Sequence, residues 1–254
     1  MAVLLFRFYR YVLYRLNSVG PHALHSPFVF DLYYKVLKQA RKSYLPEVEQ
    51  IRTKLQRDPQ QIESTDFKTG NTNNTSIAGL SRSSLSTKKF SSFLSLLCNY
   101  LDVESAIETG TSLGINALYM SRSVGQLTTI EGSATIAAIA RKNFDSCSSK
   151  NIKLINGDLY RVLESEIVRN APELYFLDAD HRSSAIAFCI DLILKHTPNA
   201  KCIIIHDIYW SPDMMNMWNE LKKDPRFTLT LDLFQAGILF PNLEMEKQHF
   251  TLRF

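Results

Sequence analysis

Short apolar runs alternate with stretches of helical periodicity after residue 104. Three of these runs are followed by predicted helices that begin near Ile115, Ala134 and Leu159. Because short apolar strands separated by helices form βαβ units, the pattern predicts a parallel sheet with helices on both faces. The predicted strands are SAIE at 105–108, LTTIE at 127–131, IKLIN at 152–156, ELYFLD at 173–178 and KCIIIHD at 201–207.

The C-terminal segment departs from this alternation. FTLTLDLF at 227–234, AGILF at 236–240 and HFTLRF at 249–254 read as strands in close succession, without intervening helices. Adjacent strands joined by short turns pair in the antiparallel sense. We therefore expect a doubly wound, mostly parallel α/β sheet that ends in a C-terminal antiparallel hairpin.

The N-terminal third is organised differently. Apolar positions in 31–56 recur at helical spacing on both sides of Pro46, which predicts two helices broken near that residue. Residues 64–86 are rich in Ser, Thr, Asn and Gly, and predict a polar loop. The chain thus divides into an N-terminal helical extension at 1–63, this loop, and an α/β domain at 87–254. The extension and the loop are expected to form a lid over the site.

Residues 1–16 are apolar and aromatic, but Arg7, Arg10 and Arg15 interrupt them. A bilayer span needs roughly 20 apolar residues, so a spanning helix is not expected. Peripheral contact with a membrane surface is one interpretation, because Arg and aromatic residues intermix in such helices. We favour a helix that packs on the α/β domain, since long Arg stems cover apolar surface.

Composition excludes several classes of protein. The 254 residues include 45% hydrophobic and 21% charged side chains, as in ordinary folded proteins, and the net charge of +4 does not call for a nucleic-acid partner. The spacing of the cysteines fits neither a zinc site nor a disulfide scaffold, which indicates the reducing cytoplasm. The four cysteines are Cys98, Cys147, Cys189 and Cys202.

Carboxylates stand at the ends of all five predicted strands. Ligands of open parallel sheets bind at the carboxyl ends of the strands, so these side chains are candidates for a binding site. Each of them alone could instead cap the helix that follows. Together they favour a functional edge. They are Glu108, Glu131, Asp158, the pair Asp178 and Asp180, and Asp207.

The turn after the first of these strands contains two glycines. Gly110 permits a backbone conformation that other residues avoid, and Gly114 permits close approach of a ligand or of the next helix. The spacing is GxxxG and not the GxGxxG of dinucleotide enzymes, whose pyrophosphate lies on a helix N-terminus. Glu131, followed by Gly132, closes the second strand about 20 residues later, where a carboxylate accepts hydrogen bonds from ribose hydroxyls.

These strand ends resemble the class I, S-adenosylmethionine-dependent methyltransferases, and among them the catechol and caffeoyl-CoA O-methyltransferase type. The matching segments are 108–114, 130–132, 156–158, 177–181 and 205–207. The resemblance implies a Rossmann-like, seven-stranded sheet. It also implies that the first motif contacts the methionine part of the cofactor, the acid after the second strand holds the ribose, and the segment after the third strand flanks the adenine. The cofactor contacts implied for this chain are Glu108, Gly110, Gly114, Glu131, Gly132, Asp158 and Asp178.

A narrower resemblance lies in 25–30, 207–211 and 232–254. These segments are similar to a group of bacterial methyltransferases, largely from the Bacteroidetes. The group implies no substrate for this chain.

Metal-dependent members of the O-methyltransferase type hold a divalent cation with an Asp after the fourth strand and an Asp-Asn pair after the fifth. Asp178 and Asp207 match the two Asp positions, but Ile208 stands where the Asn would be. An aliphatic side chain offers no oxygen to Mg²⁺ or Ca²⁺. The identity of a metal site is therefore unknown and metal dependence is disfavoured, although water, Asp180 or His206 could complete a coordination sphere.

Two residues are predicted to be catalytic, His181 and Asp207. His181 lies three residues beyond Asp178, where the metal-dependent type commonly has a catalytic Lys. With an ordinary pKa near 6.5, a histidine here could remove a proton from the acceptor. The alternative is a surface histidine that caps the next helix.

The sequence therefore predicts S-adenosylmethionine-dependent methyl transfer to a small-molecule acceptor, at oxygen. Two alternatives stay open. Ile208 suggests a protein that binds the cofactor without methyl transfer activity, and a nicotinamide-dependent oxidoreductase is disfavoured by the missing third glycine. A homodimer is a further expectation about partners.

Overall fold

A computed structural model describes residues 2–65 and 72–254, and its main feature is a sheet of eight strands, β3 to β10. A separate antiparallel hairpin, β1 and β2, precedes it. The strands are β1 (Gln61–Thr65), β2 (Thr72–Ser76), β3 (Ser105–Thr109), β4 (Gln126–Glu131), β5 (Ile152–Asn156), β6 (Leu174–Leu177), β7 (Cys202–His206), β8 (Leu229–Asp232), β9 (Ala236–Phe240) and β10 (Gln248–Thr251).

The strand order across the sheet is β10-β8-β9-β7-β6-β3-β4-β5. The strands from β3 to β7 all pair in parallel, with β3 between β4 and β6. Among the described residues, β9 alone runs against the rest of the sheet, because it pairs antiparallel with both β7 and β8. The predicted Rossmann-like fold with a C-terminal antiparallel hairpin is confirmed.

The helices begin where the sequence supplies caps. Thr87, Ser133 and Ser211 each accept a hydrogen bond from a backbone N–H in the first turn of the helix that follows, which satisfies one of its exposed donors. The helices are α1 (Ala2–Asn17), α2 (Pro27–Leu32), α3 (Pro46–Arg57), α4 (Ile77–Ser84), α5 (Lys88–Tyr100), α6 (Ile115–Met120), α7 (Ala134–Ser146), α8 (Leu159–Asn170), α9 (Ser183–His196) and α10 (Pro212–Leu221).

Both faces of the sheet are buried. Successive side chains of a strand point to opposite faces, so Tyr175 and Ile203 pack in one apolar cluster while their neighbours Phe176 and Ile204 pack in the other. The first cluster includes residues of α8, α9 and α10, and the second includes residues of α5 and α6. This two-sided burial explains why the strands read as continuous apolar runs.

The N-terminal helix α1 packs on the sheet domain, as the sequence favoured. Tyr14 is 4% exposed, and its hydroxyl donates a 2.6 Å hydrogen bond to the backbone oxygen of Leu252. Val19, just after the helix, forms a parallel bridge with the same Leu252. No helix in the described part of the chain is long and apolar enough to cross a bilayer.

The structure differs from the sequence prediction in two places. The sheet has an eighth strand, because β10 adds in parallel to β8 and is itself fixed by the bridge to Val19. The segment 64–86 is not the expected loop. It contains β2 and the helix α4, which Ser76 caps and which buries Ile77 and Ala78. Residues 66–71 of that segment lie outside the described residues.

Candidate active site

A cavity of about 1210 Å³ lies at the carboxyl ends of the parallel strands. The residues that end or follow β3, β4, β6 and β7 line its floor, as expected for an open α/β sheet. Arg7 of α1 and residues 83–87, at and after the end of α4, complete the wall. Two elements of the N-terminal extension and the segment 64–86, α1 and α4, therefore border the cavity, and their function as a lid stays a prediction.

The glycine turn after β3 has two distinct functions. Gly110 lines the cavity with φ of +86°, and a Cβ there would lie 2.7 Å from the backbone oxygen of Asp178. Gly114, with φ of +82°, does not line the cavity. A Cβ there would lie 2.5 Å from the Phe144 ring of α7. Gly110 thus permits close approach of the β3 turn to the backbone that follows β6, and Gly114 permits packing of the next helix.

Glu108 lies beneath the floor and not on it. Its side chain is 0% exposed, and Glu108 Oε2 accepts a 2.6 Å hydrogen bond from the Thr129 hydroxyl. Burial raises the pKa of Glu108 to about 8, with the charges of Asp178 and Glu131 adding to the effect. Glu108 is therefore a buried group that is protonated at neutral pH, and it lies below the residues that line the cavity.

Glu131, at the end of β4, is held rigidly at the cavity wall. Glu131 Oε2 accepts a 2.8 Å hydrogen bond from the backbone N–H of Ser112, and Oε1 accepts one of 2.9 Å from Ser133. Burial raises the pKa of Glu131, although these N–H groups oppose the effect. Each carboxylate oxygen accepts more than one hydrogen bond, so Glu131 retains the capacity to bind two hydroxyl groups of a ligand.

The segment after β5 borders the same end of the cavity. Asp158, which follows β5, lines it next to the exposed ring of Tyr160, and so does Gly132, which follows β4. Asp158 also caps α8, since Asp158 Oδ1 accepts a 3.0 Å hydrogen bond from the backbone N–H of Tyr160. Its position therefore fits both interpretations that the sequence allowed, helix cap and ligand contact.

Asp178, which follows β6 in the middle of the sheet, is paired with His206. The distance from His206 Nδ1 to Asp178 Oδ1 is 2.9 Å, and the ring lies between Phe90 and Phe176. Burial by itself would lower the pKa of His206, but the negative charges of Asp178 and Asp207 outweigh it and raise the pKa above 6.5. Asp178 thus faces an imidazole ring whose protonated form the two carboxylates favour.

Asp207 lies at the centre of a second group. Arg7 Nη2 is 3.3 Å from Asp207 Oδ1, and His181 Nε2 is 3.9 Å from Asp207 Oδ2. The backbone of Asp207 has φ of +53°, which is uncommon for a residue other than glycine, and its N–H bonds the backbone oxygen of Gln235. This arrangement turns the carboxylate towards Arg7 and His181.

Trp210 joins the same group. The guanidinium of Arg7 lies 4.7 Å from the centre of the Trp210 ring, and the His181 ring lies 5.2 Å from it. Trp210 is 41% exposed and lines the cavity. It offers an aromatic surface against which a planar acceptor can stack.

The two carboxylates do not fit a hard divalent cation. Asp178 is paired with His206, Asp207 is paired with Arg7, and the side chain of Ile208 is 0% exposed and carries no oxygen. Asp180, which the sequence offered as a further ligand, is bound by Arg182 at 2.6 Å. Among the described residues, no group of three or more His, Cys, Asp or Glu side chains is arranged to hold a metal.

The structure thus brings most of the predicted residues together and separates two from them. Glu108 and Gly114 do not line the cavity, whereas the other predicted residues do: Gly110, Glu131, Gly132, Asp158, Asp178, His181 and Asp207. The sequence did not assign Arg7 to the site, and it offered His206 only as a metal ligand. His206 directly precedes Asp207 on a buried strand, which was the available signal, but Arg7 is 200 residues from Asp207, and no local pattern connects them.

Comparison with known families gives one match. Residues 107–208 match the family model of a methyltransferase domain. This segment runs from β3 to the residue after Asp207 and includes Gly110, Glu131, Asp178 and His181. A comparison with curated proteins finds no match.

Several solved structures share the fold. A methyltransferase from Podospora anserina bound to S-adenosylhomocysteine is 18% identical with a TM-score of 0.60, and the match covers 88% of this chain and 100% of that chain. An O-methyltransferase from Bacillus cereus, also in complex with S-adenosylhomocysteine, is 18% identical with a TM-score of 0.52, over 61% of this chain and 81% of that chain. An O-methyltransferase from Streptomyces achromogenes involved in tomaymycin synthesis, in complex with S-adenosylmethionine, is 15% identical with a TM-score of 0.52, over 63% and 82%.

Proposed function

We propose that this chain, which has a methyltransferase domain at residues 107–208, transfers a methyl group from S-adenosylmethionine to an oxygen of a small-molecule acceptor. The observation that supports it best is the division of one cavity into two chemically different ends. Glu131 and Gly110 border one end, and His181, Asp207 and Trp210 border the other. The cavity of about 1210 Å³ exceeds the roughly 300–1,000 Å³ of a pocket for one drug-sized ligand, so it has room for a cofactor and an acceptor.

The end bordered by Glu131 is assigned to the cofactor. S-adenosylmethionine supplies an electrophilic methyl group on a positively charged sulfur. Glu131, fixed by the N–H groups of Ser112 and Ser133, accepts hydrogen bonds from the two ribose hydroxyls. Gly132 and Asp158 flank the adenine, and Gly110 borders the methionine part.

The end bordered by Asp207 is assigned to the acceptor. His181 removes the proton from the acceptor hydroxyl while the oxygen attacks the methyl carbon in line with the departing sulfur, so the positive charge leaves the sulfur and appears on the imidazole. Asp207, 3.9 Å from His181 Nε2, stabilises that charge. Trp210 holds the acceptor by stacking.

Asp178 is assigned to positioning at the boundary between the two ends. It lies directly above the turn, because its backbone oxygen is the atom that a Cβ at Gly110 would strike. Its carboxylate holds His206. The pairing of Asp178 with His206 and of Asp207 with Arg7 supports transfer without a divalent metal, which stays a prediction.

Titration calorimetry with S-adenosylhomocysteine and with NAD tests the cofactor assignment. We expect the first to bind and the second not to bind, because the GxxxG turn offers no pyrophosphate site. Binding of NAD alone would replace the proposal by the oxidoreductase alternative. Release of S-adenosylhomocysteine in the presence of a panel of phenols, catechols and carboxylic acids then tests transfer. Cofactor binding without turnover of any acceptor would favour the binding-protein alternative.

We also propose a cytoplasmic location and peripheral contact of residues 1–16 with a membrane surface. All four cysteines are free, and three of them are buried, which fits a reducing compartment. A homodimer is the competing use of the surface that α1 exposes.

A further inference from the structure

The outer surface of α1 is strongly apolar. Eight of its large apolar side chains are exposed, with exposed fractions from 39% to 76%. They make up eight of the thirteen exposed large hydrophobic side chains of the described residues, although α1 has only 16 residues. We call them the α1 outer face, and they are Val3, Leu4, Leu5, Phe8, Tyr9, Tyr11, Val12 and Leu16.

The inner side of the same helix is fixed to the protein. Tyr14 bonds Leu252, Arg7 pairs with Asp207, and Arg10 lies 5.3 Å from the centre of the Tyr209 ring. These contacts hold α1 in one orientation. The α1 outer face is therefore a preformed, protruding surface and not the surface of a loose segment.

The charges around this face have one sign. Residues 1–30 contain no Asp or Glu. Of their three arginines, Arg7 and Arg10 lie on the inner side, and Arg15 is exposed. At the C-terminal end of α1, Arg15 and Arg41 each lie close enough to Lys89 to affect its charge. Burial, and then the charges of Arg41 and Arg15, lower the pKa of Lys89 to about 8. A cationic cluster thus borders the apolar face.

We infer that the α1 outer face docks on the surface of an anionic lipid bilayer. Apolar and aromatic side chains enter the boundary between headgroups and acyl chains, while flanking cations bind the acidic headgroups. A second copy of the chain is a poorer occupant, because it would present the same cations and no acid along residues 1–30. This inference does not depend on the proposed methyl transfer.

Docking in this way would place the rim of the cavity at the membrane. Arg7 lies on the inner side of α1 and lines the cavity, and an α-helix with its side chains is only about 10–12 Å across. The mouth of the cavity would then lie within that distance of the headgroups.

Co-sedimentation of the full chain with vesicles tests the inference. We expect binding to vesicles that contain phosphatidylglycerol, weaker binding to phosphatidylcholine alone, and loss of the difference at high salt. Phe8→Glu should weaken binding by about tenfold or more, since it replaces an aromatic ring that enters the bilayer surface by a charge. Val168→Glu is the matched control, because Val168 is 61% exposed on α8, close to the 68% of Phe8. That variant should bind as the wild type does.

The charge requirement has its own variants. Arg15→Gln and Arg41→Gln should each reduce binding to phosphatidylglycerol vesicles by about fivefold and leave binding to phosphatidylcholine unchanged. Equal binding to the two kinds of vesicle, or equal effects of Phe8→Glu and Val168→Glu, would overturn the inference. So would a wild-type dimer in analytical ultracentrifugation that Phe8→Glu dissociates and that does not bind vesicles. Affinity for S-adenosylhomocysteine, measured in every variant, reports separately on the proposed function and on folding.

Discussion

Replacement of Glu131 by Ala probes the cofactor end of the cavity. In the wild type, both carboxylate oxygens are fixed by N–H groups of Ser112 and Ser133 at 2.8 and 2.9 Å, so the side chain needs no rearrangement to accept two ribose hydroxyls. Loss of charged hydrogen bonds costs about 1–3 kcal/mol, which corresponds to an affinity about 5- to 150-fold weaker. Glu131→Gln keeps one acceptor oxygen and should lie near the lower limit.

Calorimetric titration with S-adenosylhomocysteine measures this loss. Glu244→Ala is a suitable control, because Glu244 is an exposed carboxylate that does not line the cavity. Thermal unfolding of each variant should accompany the titration, since Ala at 131 also leaves the N–H groups of Ser112 and Ser133 without their acceptor. An unchanged affinity in a folded Glu131→Ala variant would show that the ribose lies elsewhere.

Three further predictions concern catalysis and stability. His181→Ala should lower turnover by about 10²–10⁴-fold and leave the calorimetric affinity for S-adenosylhomocysteine unchanged, whereas wild-type turnover would remove the proposed base. Turnover should survive EDTA, because Asp178 is paired with His206 and Asp207 with Arg7, and loss of turnover with rescue by Mg²⁺ would contradict this. Burial raises the pKa of Glu108 from about 4.5 in the unfolded state to about 8 in the folded state. The free energy of unfolding of the wild type should therefore fall as the pH rises from about 4.5 to about 8, by at most about 1.4 kcal/mol per pH unit. Urea unfolding of Glu108→Gln should lack that fall, and parallel pH profiles for the two proteins would contradict it.

The sheet could be predicted from the sequence because its central strands are buried on both faces. Residues such as Tyr175 and Phe176 must both be apolar when helices cover the two sides, and the resulting runs are easy to recognise. The segment 64–86 was misread for the opposite reason. Its strand β2 is polar, and α4 buries few large side chains, so composition indicated a loop where backbone pairing and the Ser76 cap create structure.

The candidate site could be predicted in part for a geometric reason. The carboxyl ends of parallel strands lie at one edge of the sheet, so Glu131, Asp178 and Asp207 were expected to lie near one another. The sequence could not separate Glu108 from them, because a strand-end carboxylate can point into the cavity or into the layer beneath it. Alternation along β3 places Glu108 beneath the floor, next to Thr129.

Arg7 changes how the N-terminal extension should be understood. The segment 107–208 that matches a methyltransferase domain supplies Asp207 and His181, but the cation that neutralises Asp207 comes from a helix 200 residues away. Without α1, Asp207 would be a partly buried carboxylate that faces Asp178 across His206 and lacks the Arg7 cation as its partner. The extension therefore belongs to the chemistry of the site as well as to its cover. Substitutions on the inner side of α1 should affect turnover, whereas those on the α1 outer face should affect only where the protein docks.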